Sequence, residues 1–156
     1  MNLILEKAII TDAVELLKMQ TQAFTPLLEK YQDYHTSPAN ETIDRVTERI
    51  TNPEGAFYKI LLEGLMVGAI CVTSKKEYMW ISPMFILPEF QGQGIAQKAI
   101  KLAEEKHPDF KRWELATIQE EERNCYLYEK MGYVKMGIAK EINERATLIY
   151  YQKEIN

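Results

Sequence analysis

The segment Gln91-Gly92-Gln93-Gly94-Ile95-Ala96 constrains this chain more than any other stretch, because two glycines there join a β-rich run to an amphipathic helix. Tyr78 to Leu87 precedes it as the strand-like run. Ile95, Ala99, Leu102 and Ala103 follow at i, i+4, i+7 and i+8, a helical period that ends before Pro108. A helix N-terminus exposes unpaired N–H groups and a partial positive charge, and glycines at 92 and 94 remove side chains that would obstruct a ligand. A pyrophosphate suits such a turn. The Rossmann pattern needs glycine where Gln97 stands, and a P-loop needs Gly-Lys-Ser/Thr, which is absent. A nucleotide-binding α/β protein is disfavoured on that ground.

Periodicity and breakers organise the rest of the chain around this turn. Leu3 to Ala8 reads as a strand, and Ala13, Leu16, Leu17, Ala23 and Phe24 follow at mostly helical spacing, with Asp12 and Glu15 placed as a capping box. Pro38 is read as opening a second helix, with Ile43, Val46 and Ile50 on one face. Phe57 to Leu62 and Met66 to Thr73 form a hairpin through Glu63 and Gly64. Pro83 interrupts the next strand and predicts a bulge or an unpaired stretch. Beyond the glycine turn and its helix come a strand at Trp113 to Thr117, a helix at Glu120 to Met131 closed by Gly132, and a strand pair at Tyr133 to Ala139 and Ala146 to Gln152. No repeat or linker divides the sequence, so residues 1–156 are read as one mixed α/β domain.

Composition narrows the function classes. A net charge of −4 argues against a phosphate-tracking nucleic-acid binder, which needs a basic stripe, and mildly favours a cationic small molecule. Cys71 and Cys125 have no metal spacing and no nucleophile constellation, so no metal is expected and both are read as free thiols of a reduced compartment. Met1 to Ala8 lacks the pattern of a signal peptide and no apolar run reaches membrane-spanning length. A cytoplasmic protein that does not enter the membrane is the expectation.

A second motif lies about thirty residues beyond the turn: Asn124, Cys125, Tyr126, Leu127, Tyr128, Glu129, Lys130, Met131, Gly132 and Tyr133. Together with Gln91, Gly94 and Ala96 and the order of elements over essentially the whole chain, it resembles the GNAT superfamily of N-acetyltransferases. The resemblance implies the GNAT fold, a mostly antiparallel β-sheet splayed at its centre and flanked by helices, with acetyl-CoA in the split. It also implies transfer of the acetyl group to an amine of a small molecule or peptide, and a homodimer, since family members often pair through their C-terminal strands.

Residue roles follow from the same resemblance. The backbone of Met84, Phe85 and Ile86 would pair with the pantetheine arm, and the amides of Gly92, Gln93, Gly94, Ile95 and Ala96 would hold the pyrophosphate, with Gln91 and Gln93 adding polar contacts. Tyr128 matches the general acid that protonates the leaving thiolate. Asn124 shares its helix face at i and i+4 and would bind the pantetheine, although many family members carry this Asn seven residues before the Tyr, where Glu121 stands. Tyr31, Tyr34 and His35, near Asp33, fall in the region that forms one acceptor wall, with His35 a candidate base or substrate contact. The general base stays open, with Glu114 as the candidate on a strand face and Ser82 able to orient a water. His107 is read as a cation favoured by a helix C-terminus. The alternative is a coenzyme-A-binding regulatory domain without turnover.

Overall fold

A computed structural model describes residues 2–156. Among them, seven strands form one sheet: β1 (Leu3–Lys7), β2 (Gly55–Leu62), β3 (Leu65–Ser74), β4 (Met79–Ile86), β5 (Arg112–Ile118), β6 (Val134–Asn143) and β7 (Ala146–Glu154). The helices are α1 (Ala13–Tyr31), α2 (Ile43–Thr51), α3 (Ile95–Lys106) and α4 (Glu122–Lys130). Strand order is β1-β2-β3-β4-β5-β7-β6, antiparallel throughout except for the parallel pair β4–β5. No helix is long and apolar enough to cross a membrane among the described residues.

Alternation along the strands builds a core on each face. Val67, Ile70 and Val72 of β3 pack with Ile95, Ala99 and Ile100 of α3. Ala69 and Cys71 point the other way, to Leu16 and Met19 of α1 and Val46 and Ile50 of α2. Each fully buried aliphatic side chain contributes about 1.5–3 kcal/mol. Burial pushes the Cys71 thiol up to about 11, which makes it an inert core residue.

The expected irregularity at Pro83 is present. Val72 and Ile70 of β3 face Ile81 and Met84 of β4, so three steps on β4 match two on β3. The extra residue reverses the parity: Met79 and Ile81 before it, and Met84 and Ile86 after it, all serve the α3 side. At the far end of this pair Gly68 is forced, because a Cβ there would collide with the Phe85 carbonyl oxygen. Gly68→Ala is therefore expected to cost about 1–3 kcal/mol through overpacking. Urea unfolding checks this, with a shift under a few tenths of a kcal/mol contradicting it.

Several local expectations are corrected. Asp12 does not cap α1 with Glu15; its carboxylate accepts the Ile9 N–H at 2.8 Å and lies 3.3 Å from Lys59 Nζ, closing a short 3₁₀ turn that leads into α1. Pro38 opens only a 3₁₀ turn over Pro38–Asn40, because Glu41 is extended. The helix proper begins at Ile43 behind Thr42, whose hydroxyl accepts the Arg45 N–H. Tyr31 is the last residue of α1, which runs through Pro26.

His107 is not a dipole-stabilised cation. It is half-buried at the end of α3, with its Nε2 sharing a 2.8 Å hydrogen bond with the Tyr58 hydroxyl and its ring edge-on to Trp113. Burial, then the charges of Lys106 and Lys7, hold its pKa below the usual 6.5. The unfolded chain then binds this proton more readily, so the contribution is complete above about pH 6.5 and is lost as pH falls from there through the folded pKa. Thermal stability is expected to drop between about pH 7 and pH 5, and to drop less in His107→Gln; equal slopes for the two proteins would contradict the assignment.

Candidate active site

β4 and β5 are hydrogen-bonded neighbours only over Met79–Trp113, Trp80–Glu114 and Ile81–Leu115. Beyond that they part. Met84, Phe85 and Ile86 continue to pair with β3, and Ala116, Thr117 and Ile118 continue to pair with β7. The inner edges of two parallel strands are thus left facing one another across a gap. The Leu87 N–H donates to Val67 of β3, so the two-residue period turns the backbone groups of Met84 and Ile86 toward the gap. The Ile86 carbonyl there is taken by Gln91 Nε2 at 3.0 Å, which braces the strand end against the turn that follows.

That turn delivers the N-terminus of α3 to the gap. Gly92 and Gly94 have φ of 79° and 78°, left-handed backbone that glycine adopts without a Cβ penalty. Nothing lies within 4 Å of where a Gly94 Cβ would sit, so the approach is open. The first turn of α3 carries no acidic residue. Its free amides and dipole therefore present an uncancelled positive end.

On the other side of the gap α4 presents Glu121, Asn124 and Tyr128, spaced i, i+3 and i+7 along one face. Tyr128 is 9% exposed, held between the rings of Tyr133 and Tyr151, both 6.3 Å away by centroid. Burial, then the nearby Cys125, pushes its pKa well above the ordinary 10, so the phenol keeps its proton at neutral pH. The whole forms a cavity of about 600 Å³. Met84, Phe85 and Ile86 make one wall, the α3 turn the floor, α4 the second wall, and Phe24, Pro26 and Leu27 of α1 the roof. Phe24 packs edge-on against Phe85, which fixes α1 over the split.

A profile of the acetyltransferase (GNAT) family matches residues 15–133, which hold the split, the turn and Tyr128. The chain belongs to this family. The uncharacterized protein YrkN of Bacillus subtilis (strain 168) is 31% identical over 136 residues, 85% of this chain and 73% of that protein. Two of the solved structures that share the fold carry the coenzyme. One is a streptothricin acetyltransferase of Bacillus anthracis str. Ames, so described provisionally, in complex with acetyl coenzyme A; it is 22% identical, with 70% of this chain and 67% of that chain covered and a TM-score of 0.62. The other is the PaiA N-acetyltransferase of Thermoplasma acidophilum with coenzyme A, 13% identical over 99% of both chains, TM-score 0.72.

The residues anticipated for the GNAT cofactor site mostly converge. Met84, Phe85, Ile86, Gln91, Gly92, Gly94, Ile95, Ala96, Asn124 and Tyr128 all line the cavity; Gln93 does not, and Gln97 does. Glu114 is placed elsewhere. It sits opposite Trp80, where β4 and β5 are still paired, and it is buried with Arg112 Nη2 2.6 Å from its Oε2, a charge contact without hydrogen-bond alignment. Tyr34 and His35 lie in an exposed turn outside the lining. Tyr31 reaches the site indirectly, its hydroxyl donating to Glu121 Oε1 at 2.7 Å. The α1 roof, Glu121 and Arg123 were not anticipated as lining. Arg123 Nη2 lies 4.0 Å from the position of a Gly92 Cβ, beside the turn. The one sequence signal for Glu121 was its place seven residues before Tyr128.

Proposed function

We propose that this GNAT chain transfers the acetyl group of acetyl-CoA to a primary amine of a small molecule or peptide. The observation that carries the reading is a buried Tyr128 and an open helix N-terminus facing one cavity at the point where β4 and β5 part. The Gly92 to Ala96 amides would take the pyrophosphate, and the inward backbone groups of Met84 and Ile86 the pantetheine arm. Asn124, one turn before Tyr128, would donate to the same arm.

Chemistry then needs few groups. The neutral amine attacks the thioester carbon, forming a C–N bond, while a backbone N–H of the Phe85–Ile86 stretch stabilises the oxyanion. As the C–S bond breaks, Tyr128 gives its proton to the departing sulfur, and the proton shed by the amine restores the phenol through solvent. β6, the edge strand that exposes Val134 and Ile138, is the surface through which a homodimer would form. A panel of amines with acetyl-CoA, read by thiol release, tests the function. Acceptor-dependent release supports transfer. Tight acetyl-CoA binding without release across the panel would instead favour a coenzyme-A-binding domain without turnover.

A further inference from the structure

The C-terminal end of α1 is tied down from outside the helix. Asn143 Nδ2, at the end of β6, donates to the carbonyls of Tyr31 at 3.0 Å and Gln32 at 3.2 Å, and Arg145 Nη1, in the turn that follows, donates to that of Lys30 at 3.4 Å. These ties hold Lys30 and Tyr31 against the start of α4. There Glu121, with its side chain 19% exposed, lines the cavity. Its Oε1 accepts the Tyr31 hydroxyl at 2.7 Å and the Lys30 ammonium at 3.3 Å, while Oε2 has no hydrogen-bond donor among the described residues. The same ammonium stands 5.1 Å from the centroid of the Tyr31 ring. The Glu121 carboxylate, which lines the cavity, and the ring of Tyr31, which is buried just outside the lining, thus already hold an alkylammonium.

Lys30 is a weak occupant. Its side chain is 62% exposed, and exposed pairs of this kind contribute little. A second alkylammonium could displace it and use the free Oε2. Among the described residues that line the cavity, Glu121 and Arg123 are the two that carry full charges, and Arg123 stands beside the turn at Gly92. Glu121 is left for a cation. It also lies seven residues before Tyr128, about 10 Å along the axis of α4 at 1.5 Å per residue. A cation held there is too far from the departing sulfur to be the attacking nitrogen.

We propose that Glu121 and the ring of Tyr31 hold the second, non-reacting ammonium of a diamine-type acceptor, and that Lys30 fills this site until the acceptor arrives. This rests on the reading of the chain as an acetyl-CoA-dependent amine acetyltransferase, and the test separates the two. Initial rates are measured for pentane-1,5-diamine and for pentylamine, alongside calorimetric titration with acetyl-CoA. Wild type should favour the diamine by about tenfold in kcat/KM, the worth of a charge-assisted contact. Glu121→Gln should reduce that ratio to about two, mainly through KM of the diamine, with acetyl-CoA affinity retained. Lys30→Ala, a change at an exposed side chain, should lower KM for the diamine by about threefold, a gain that a purely structural role would not produce. Equal use of the two amines by wild type, or a raised diamine KM in Lys30→Ala, overturns the proposal, as does loss of acetyl-CoA affinity in Glu121→Gln, which would put the carboxylate on the cofactor. Failure of wild type to bind acetyl-CoA removes the underlying reading instead.

Discussion

Replacing Tyr128 by phenylalanine should lower kcat by about 10²–10⁴-fold, the usual worth of a positioned general acid, while the affinity for acetyl-CoA stays within about twofold. The ring would remain between Tyr133 and Tyr151, so packing is preserved and only the hydroxyl is lost. The phenol has no protein hydrogen-bond partner among the described residues, so its removal orphans no buried group. Thermal melting should accordingly move little. Steady-state rates together with calorimetry separate the outcomes: a fall in kcat with unchanged binding supports the acid, and unchanged turnover contradicts it. The raised pKa also fixes a sign for pH dependence. Tyr128 holds its proton across the neutral and mildly alkaline range, so it should contribute no loss of rate up to about pH 9.

The second large effect is expected at the turn. Gly92→Glu combined with Gly94→Glu should weaken acetyl-CoA binding by at least about 100-fold, because two carboxylates would face the phosphates at the unpaired amides of the α3 N-terminus. The left-handed φ at both positions adds a folding cost of about 1–2 kcal/mol each. Neither added Cβ meets anything closer than 4.0 Å, so the variant should fold. Titration of folded double mutant with acetyl-CoA checks this. Retained micromolar affinity would move the cofactor away from α3.

How much of this was legible in the sequence depended on how local each feature was. The turn, the strand end at Met84 to Ile86 and Tyr128 are carried by short motifs whose neighbours in sequence are neighbours in space, and they converge in the structure. The α1 roof was not legible as a site. Phe24 read as a core position at helical spacing, and its placement over Phe85 is set by packing that no local pattern records. Glu114 shows the limit of strand alternation. It does point away from Trp113 and Leu115, but alternation cannot tell where along β5 the neighbouring strand departs, and Glu114 lies before that point. His107 was misread for a related reason: its position at a helix end is visible in sequence, while the Tyr58 hydroxyl that meets it comes from β2.

Crystals of wild type grown with acetyl-CoA would show whether the coenzyme occupies the β4–β5 split. The pyrophosphate is expected on the amides of Gly92 to Ala96, the pantetheine along the free edge of Met84 to Ile86, and the thioester sulfur within hydrogen-bond reach of the Tyr128 hydroxyl. Acetyl-CoA bound outside the β4–β5 split, or with its sulfur far from Tyr128, would contradict this placement.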